Sequence, residues 1–226
     1  MVRAIDLVTF TPEKIAVKGD PKINGKGALT AYLDYDGRDF TVTSDSAFPL
    51  EAVWNAPQRG EKAKTPVGLK LAIPDIDVTA NCLRAVDAFV KQTVRDNAEE
   101  YAGMLGISVD EFKQKVAVDT FFFQVVRTST NPNYPDDFTE LKLWPGMDGN
   151  FSDVPIFDDD NEPVSARSIF RGSYKIRPCI RFTNFAVDND RCTVGITVIA
   201  LSVSAGKKRK VDAHAIFGGK KKSRKE

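Results

Sequence analysis

Ser173-Tyr-Lys-Ile-Arg-Pro-Cys-Ile-Arg-Phe182 divides by parity, with Tyr174, Ile176, Ile180 and Phe182 on one side and Lys175, Arg177, Cys179 and Arg181 on the other. A two-residue period of this kind predicts a β-strand, here with a buried apolar face and an opposite face carrying three cations. Working outward, Phe121–Thr128, Glu140–Trp144 and Cys192–Val203 share the enrichment in β-branched and aromatic residues, and Asn-Pro, Pro-Gly and Asp-Asn-Asp turns bound them. Ala28–Tyr35 and Arg38–Thr43 read as a hairpin about Asp36-Gly37, a dipeptide suited to two positive-φ positions. Pro49 to Pro66, rich in Pro, Gly and charge, reads as a loop leading to a strand at Val67–Ile73. Met1 to Phe10 reads as a strand, since Arg3 and Asp6 interrupt a short apolar stretch that has the form of neither a signal peptide nor a membrane anchor.

Between these strands the period changes. From Thr79 to Tyr101, Leu83, Val86, Val90, Val94, Ala98 and Tyr101 recur at three- and four-residue steps and predict one long helix. Ser108-Val-Asp-Glu111 has the form of a capping box, so a short second helix is expected to about Val116. Many strands around one inserted helical segment predict a mainly β fold, a barrel or sandwich rather than a parallel α/β sheet.

With 226 residues, 42% of them hydrophobic, the chain can bury a sizeable core, and one elaborated domain over residues 1–205 is expected. Its net charge of +1 conceals an asymmetry. Residues 206–226 hold nine Lys/Arg against Asp212 and Glu226 and carry +7, whereas residues 1–205 carry −6. The tail, too poor in apolar residues to fold alone, is expected to be flexible. An acidic body is not drawn to nucleic acid by its overall field, so a binding site in it must be a local groove. Cys82, Cys179 and Cys192 are odd in number and lack C-x-x-C spacing, which argues for a reducing, intracellular setting without a disulfide framework or zinc knuckle.

Catalytic patterns are missing. The single histidine, His214, lies in the tail, so neither a histidine triad nor a multi-histidine metal site can be assembled in the body. Neither G-x-x-x-x-G-K-[ST] nor G-x-G-x-x-G occurs. Acidic residues cluster at Asp136-Asp137, Asp158-Asp159-Asp160 and Asp188/Asp190, each where a turn is expected. A two-metal nuclease would need such carboxylates to converge. The expectation is a protein that is not an enzyme and needs no cofactor or metal.

The binding pattern is stronger. Beside the cations Lys175, Arg177 and Arg181, the strand at Glu140–Trp144 puts Leu141 and Leu143 on one side and Lys142 and Trp144 on the other. A ring beside a lysine on a polar face suits a single strand, whose bases stack on aromatics while cations follow the phosphates.

The order Asn133-Tyr134-Pro135, Glu140-Leu-Lys142-Leu-Trp144, Gly149-Asn-Phe151, Phe157-Asp-Asp-Asp160 and Ile169-Phe-Arg171-Gly172-Ser173, closed by the strand containing Gly195, resembles the C-terminal half of the OB-fold single-stranded DNA-binding proteins of large DNA viruses and related podophages. The resemblance covers roughly residues 120–204. It implies an OB-type β-barrel with one long inserted helix and a short second helix. It also implies a non-catalytic, largely sequence-independent function, the coating of exposed single strands in viral DNA replication or recombination. By position, Lys142, Trp144, Lys175, Arg177 and Arg181 would line the groove with Arg171 at its rim, and Phe182 or Phe185 stands at the family's aromatic position. Single-stranded DNA is the partner implied. Replication proteins and a second copy of the chain are partners the resemblance admits, and a membrane is not. Podophage members typically end in an acidic tail that contacts replication partners, whereas this chain ends in a basic one. Lys207, Lys208, Arg209 and Lys210 match the compact cluster of a nuclear localisation signal, which would direct the chain to a host nucleus or viral replication site. The same cluster can instead raise DNA affinity by counterion release. The rival reading is a structural virion or scaffold β protein whose tail neutralises packaged DNA.

Overall fold

A computed structural model describes residues 4–44, 47–54, 66–72, 78–128, 137–142, 154–164 and 174–205. Among these described residues there are twelve strands: β1 (Ile15–Ile23), β2 (Leu29–Tyr35), β3 (Arg38–Asp39), β4 (Thr41–Thr43), β5 (Phe48–Trp54), β6 (Pro66–Ala72), β7 (Phe122–Phe123), β8 (Arg127–Thr128), β9 (Asp137–Lys142), β10 (Ile156–Phe157), β11 (Tyr174–Val187) and β12 (Cys192–Ala205). Three helices, α1 (Val78–Asp96), α2 (Ala98–Leu105) and α3 (Val109–Ala117), lie between β6 and β7. The fold is therefore mainly β, and the described strands form one mixed, open sheet in the order β1-β2-β11-β5-β6-β9-β8, with β12 on the other edge of β11. Among the described residues no helix is long and apolar enough to cross a membrane.

The strand that opened the sequence reading organises the rest. One edge of β11 pairs with β12 along its whole length. Its other edge is shared out in succession, Lys175–Ile176 to β5, Cys179–Arg181 to β4 and Asn184–Val187 to β2. Ile176, Ile180 and Phe182 are buried, as the parity requires. At Thr183 a bulge leaves one residue of β11 without a β12 partner, and the phase inverts, so that Phe185 and Val187 are the buried residues beyond it.

The hairpin at Asp36-Gly37 forms, with φ of 54° and 72° at the two turn residues. Its second strand is shorter than the alternation predicted. β3 pairs with β2, but at Phe40 the chain leaves the hairpin and β4 pairs with β11 instead. Phe40 is fully buried there, its ring centroid 4.7 Å from that of Phe182, and its carbonyl accepts from the Phe182 N–H at 2.9 Å. Burying this ring against a second strand outweighs continuing a two-stranded ribbon.

Other expectations need correction. Within the described part of Met1 to Phe10, which begins at Ala4, the chain is not a strand. Ile5 makes an isolated bridge with Val42, and Leu7–Thr9 is a 3-10 turn whose Val8 N–H donates to Asp6 Oδ1 at 2.9 Å. Pro49–Trp54, the start of the expected loop, belongs instead to the strand β5. The strand β1 had no sequence counterpart. The single long helix is two, because at Asn97 (ψ 21°) the backbone leaves helical geometry and its side-chain amide donates to the Thr93 carbonyl at 2.8 Å. Ser108 does stand at the N-cap of α3, but its hydroxyl accepts no capping bond.

The helices belong to the same core as the strands. Leu83, Val86, Val90 and Val94 of α1, Tyr101 of α2 and Phe112 of α3 are buried in one cluster with Leu29, Phe40, Phe182 and Phe185.

Candidate nucleic-acid interface

The outward side of β11 carries the predicted cations. Lys175 and Arg177 are exposed, and Arg181 is partly so. Arg177 Nε–H donates to the Ser44 carbonyl at 2.9 Å, and Arg181 Nε–H donates to Thr41 Oγ1 at 3.2 Å. The Arg181 guanidinium also lies 3.4 Å from a carboxylate oxygen of Asp39, a contact open to solvent and weak for that reason.

Phe182 is not part of this face. It is 1% exposed and packed on Phe40, so its assignment as a ring that stacks on bases is corrected, and Phe185, at 0%, is internal for the same reason. Lys142 closes β9 opposite Gly68. Its side chain, together with Trp144, Arg171, Lys207, Lys208, Arg209 and Lys210, lies outside the described residues.

Two rings that the sequence reading passed over stand on the outward face. Directly paired residues in adjacent strands share a side of the sheet, so register alone aligns Lys18 of β1, Tyr32 of β2, Asn184 of β11 and Gly195 of β12 in one row. The next row runs Lys22, Thr30, Ala186, Thr193 and Phe123, reaching β7. Tyr32 is 53% exposed and Phe123 49%, while their neighbours Ala31, Leu33 and Phe122 are buried. Three strand steps separate the rings, about 14 Å at ordinary spacing, which is wide enough for a few nucleotides laid across the strands.

The surface between the rings is concave. A hollow of about 400 Å³ is bounded by Lys18, Tyr32 and Arg181, and a second of about 420 Å³ by Phe123, Arg127, Arg191, Gly195 and Thr197; they meet at Thr183. The Arg127 guanidinium sits 4.6 Å from the Phe123 ring centroid, and the Arg191 Nε lies 3.9 Å from Asp188. Cations thus flank both rings. At the junction the Thr183 hydroxyl lies 2.8 Å from Asn184 Oδ1 and 3.2 Å from the Gly195 carbonyl.

Two of the carboxylate clusters have a local structural account, and Asp136 of the third lies outside the described residues. Asp158 Oδ1 accepts from the N–H groups of Asp160 and Glu162, and Asp188 Oδ1 from those of Asp190 and Arg191, as in turns held by an Asp side chain. Asp137 is not in a turn. It begins β9 with Arg84 at 2.8 Å, and the guanidinium holds its carboxyl below the usual carboxylate range. Burial pushes the thiols of Cys82 and Cys192 up to about 12, keeping both neutral.

No family model matches the chain, and no curated protein does. Among solved structures it is similar to the single-stranded DNA-binding protein from bacteriophage Enc34 (C-terminal truncation), at 10% identity over 88% of this chain and 99% of that one, with a TM-score of 0.42. A likeness of that degree carries no function from one chain to the other.

Proposed function

We propose that the chain binds single-stranded DNA, without catalysis and largely without regard to sequence, on the outward face of β1, β2, β11, β12 and β7. The observation that carries this reading is the pair of half-exposed rings, Tyr32 and Phe123, at the two ends of a hollow face supplied with Lys18, Lys22, Arg127, Arg181 and Arg191. A large ring half in water on a polar face is poorly accounted for by folding, whereas base stacking beside phosphate-binding cations uses both features. The OB-type barrel and the coating of exposed strands in viral replication or recombination belong to this proposal, supported by the order of motifs over residues 120–204. The basic tail adds counterion-release affinity in this scheme and is not the site itself.

Fluorescence anisotropy with a labelled oligo-dT of about 30 nucleotides is the test, run over a salt series on the full chain and on a chain ending at Ala205. The expected result is low-micromolar or tighter binding at low salt that weakens steeply as salt rises. Removing the tail should weaken binding without abolishing it. Binding that vanishes with the tail would favour the rival reading, a structural protein whose tail neutralises DNA, and no binding by the full chain would overturn the proposal.

A further inference from the structure

We infer that Asp87, on the helix α1, is a positioning residue for the proposed DNA face, because its carboxylate ties down the connection between β7 and β8 that presents Phe123 and Arg127. The inference rests on the reading just given.

The geometry is direct. Asp87 Oδ1 accepts from the Val125 N–H at 2.7 Å, and Asp87 Oδ2 accepts from the Val126 N–H at 3.1 Å. These two amides lie between Phe123 and Arg127, in a connection too short to have a ladder of its own. Val125 and Val126 are buried, so without the carboxylate their amides would have to find other partners away from water. Ring and guanidinium at the far end of the face are therefore set by a side chain on another element. A contact ordered before the ligand arrives saves the entropy of ordering it on binding.

The anchor is also titratable within a mild range. Burial raises the Asp87 carboxyl to about 6, against the opposing pull of the Val125 and Val126 amides and of Lys91 one turn along α1. The ionisable groups coupled to it are Lys91, itself 3.2 Å from Asp119, and Cys192 at the start of β12, a thiol that stays neutral; the β7–β8 connection meets it with backbone amides. Protonation turns two charge-assisted bonds into weaker ones. Its effect on stability has the opposite sign. A carboxyl whose folded pKa is raised takes up its proton earlier in the folded state. Its contribution to stability is therefore fully present below the unfolded value and is lost as pH rises through about 6. Acidification through pH 6 should thus loosen the Phe123–Arg127 end while Asp87 adds to global stability.

The test uses the full chain and labelled oligo-dT at constant ionic strength from about pH 7.5 to about pH 5, with hydrogen exchange of the Val125 and Val126 amides followed in parallel. Affinity of the unaltered chain should fall, by roughly five- to tenfold, as pH descends through 6, because two side chains must then be ordered on binding. Simple charge predicts the reverse, since the net positive charge of any chain can only grow as pH falls while the DNA backbone stays anionic. Asp87→Asn should bind at neutral pH as the unaltered chain does in acid and should show a flat pH profile. If affinity stays level or rises with acid while the two amides lose protection relative to their intrinsic exchange rate at each pH, Asp87 is an anchor of the fold alone and the inference fails. If the amides stay protected throughout, the anchoring itself is wrong. The pH series needs no variant, so poor folding of Asp87→Asn does not block the test. Absence of DNA binding at neutral pH together with acid-sensitive amides would overturn the proposed function and leave the anchor standing as a feature of the fold.

Discussion

Gly195 lies opposite Asn184 in the β11–β12 pairing, and a β-carbon on Gly195 would come within 2.5 Å of Asn184 Oδ1 and 2.8 Å of Thr183 Oγ1. Glycine here provides closeness, letting two polar side chains fold over the neighbouring strand at the middle of the face. Gly195→Ala must push both side chains aside. Because those atoms are side-chain ends, the expected change is a modest loss of stability with a clear loss of oligo-dT affinity. Thermal denaturation and anisotropy on the same preparation measure the two, and an unchanged affinity would place the DNA elsewhere.

Tyr32 and Phe182 are both aromatic residues in strands, and the structure gives them opposite roles. Tyr32→Ala removes a half-exposed ring, so thermal stability should hold while affinity drops by a stacking contact, about 1–3 kcal/mol. Phe182→Ala empties a site against Phe40 and should cost about 3–5 kcal/mol of stability. Urea denaturation of the two variants, set beside their binding curves, separates the roles. A Tyr32→Ala variant that binds as tightly as its parent would contradict the proposed face.

The three cysteines provide a third check. Cys82 and Cys192 are buried with thiols pushed up to about 12, whereas Cys179 is half-buried on the outward side of β11, two residues from both Arg177 and Arg181. Alkylation of the native chain near pH 8 should modify Cys179 first and leave the other two until the protein unfolds. Saturating oligo-dT should slow the Cys179 reaction if the strand extends along the cationic side of β11. Mass spectrometry of the modified peptides reads each site separately.

Much of the fold was legible because single strands and helix faces announce themselves by period. The parity from Lys175 to Phe182 gave the correct inside and outside for that part of β11, and the steps from Leu83 to Val94 gave α1. What escaped was set by partners distant in sequence. β1 was missed because Gly19-Asp20-Pro21 has the composition of a turn, yet the strand continues through a register shift between Lys18 and Lys22. The departure of β4 from its hairpin depends on Phe182, some 140 residues on, as does the burial of Phe40. The rings of the proposed site did leave a trace. Tyr32 shares its parity in β2 with Thr30 and Asp34, and in the run Phe121-Phe122-Phe123 strand alternation makes it hard for all three to face inward. Phe182 shares its parity with Ile176 and Ile180, so its burial was legible in β11 itself, against its place in the motif order.

The extra residue at Thr183 gives β11 something like a reading frame. From Ile176 to Phe182 the even-numbered residues belong to the interior, and beyond Thr183 the odd-numbered ones, Phe185 and Val187, do. Deleting one residue there, without changing any other letter, would turn Phe185 and Val187 out into water and carry Asn184 and Ala186 inward. A length change that a loop would absorb is therefore intolerable at this point, and related chains should vary in spelling along β11 far more readily than in length.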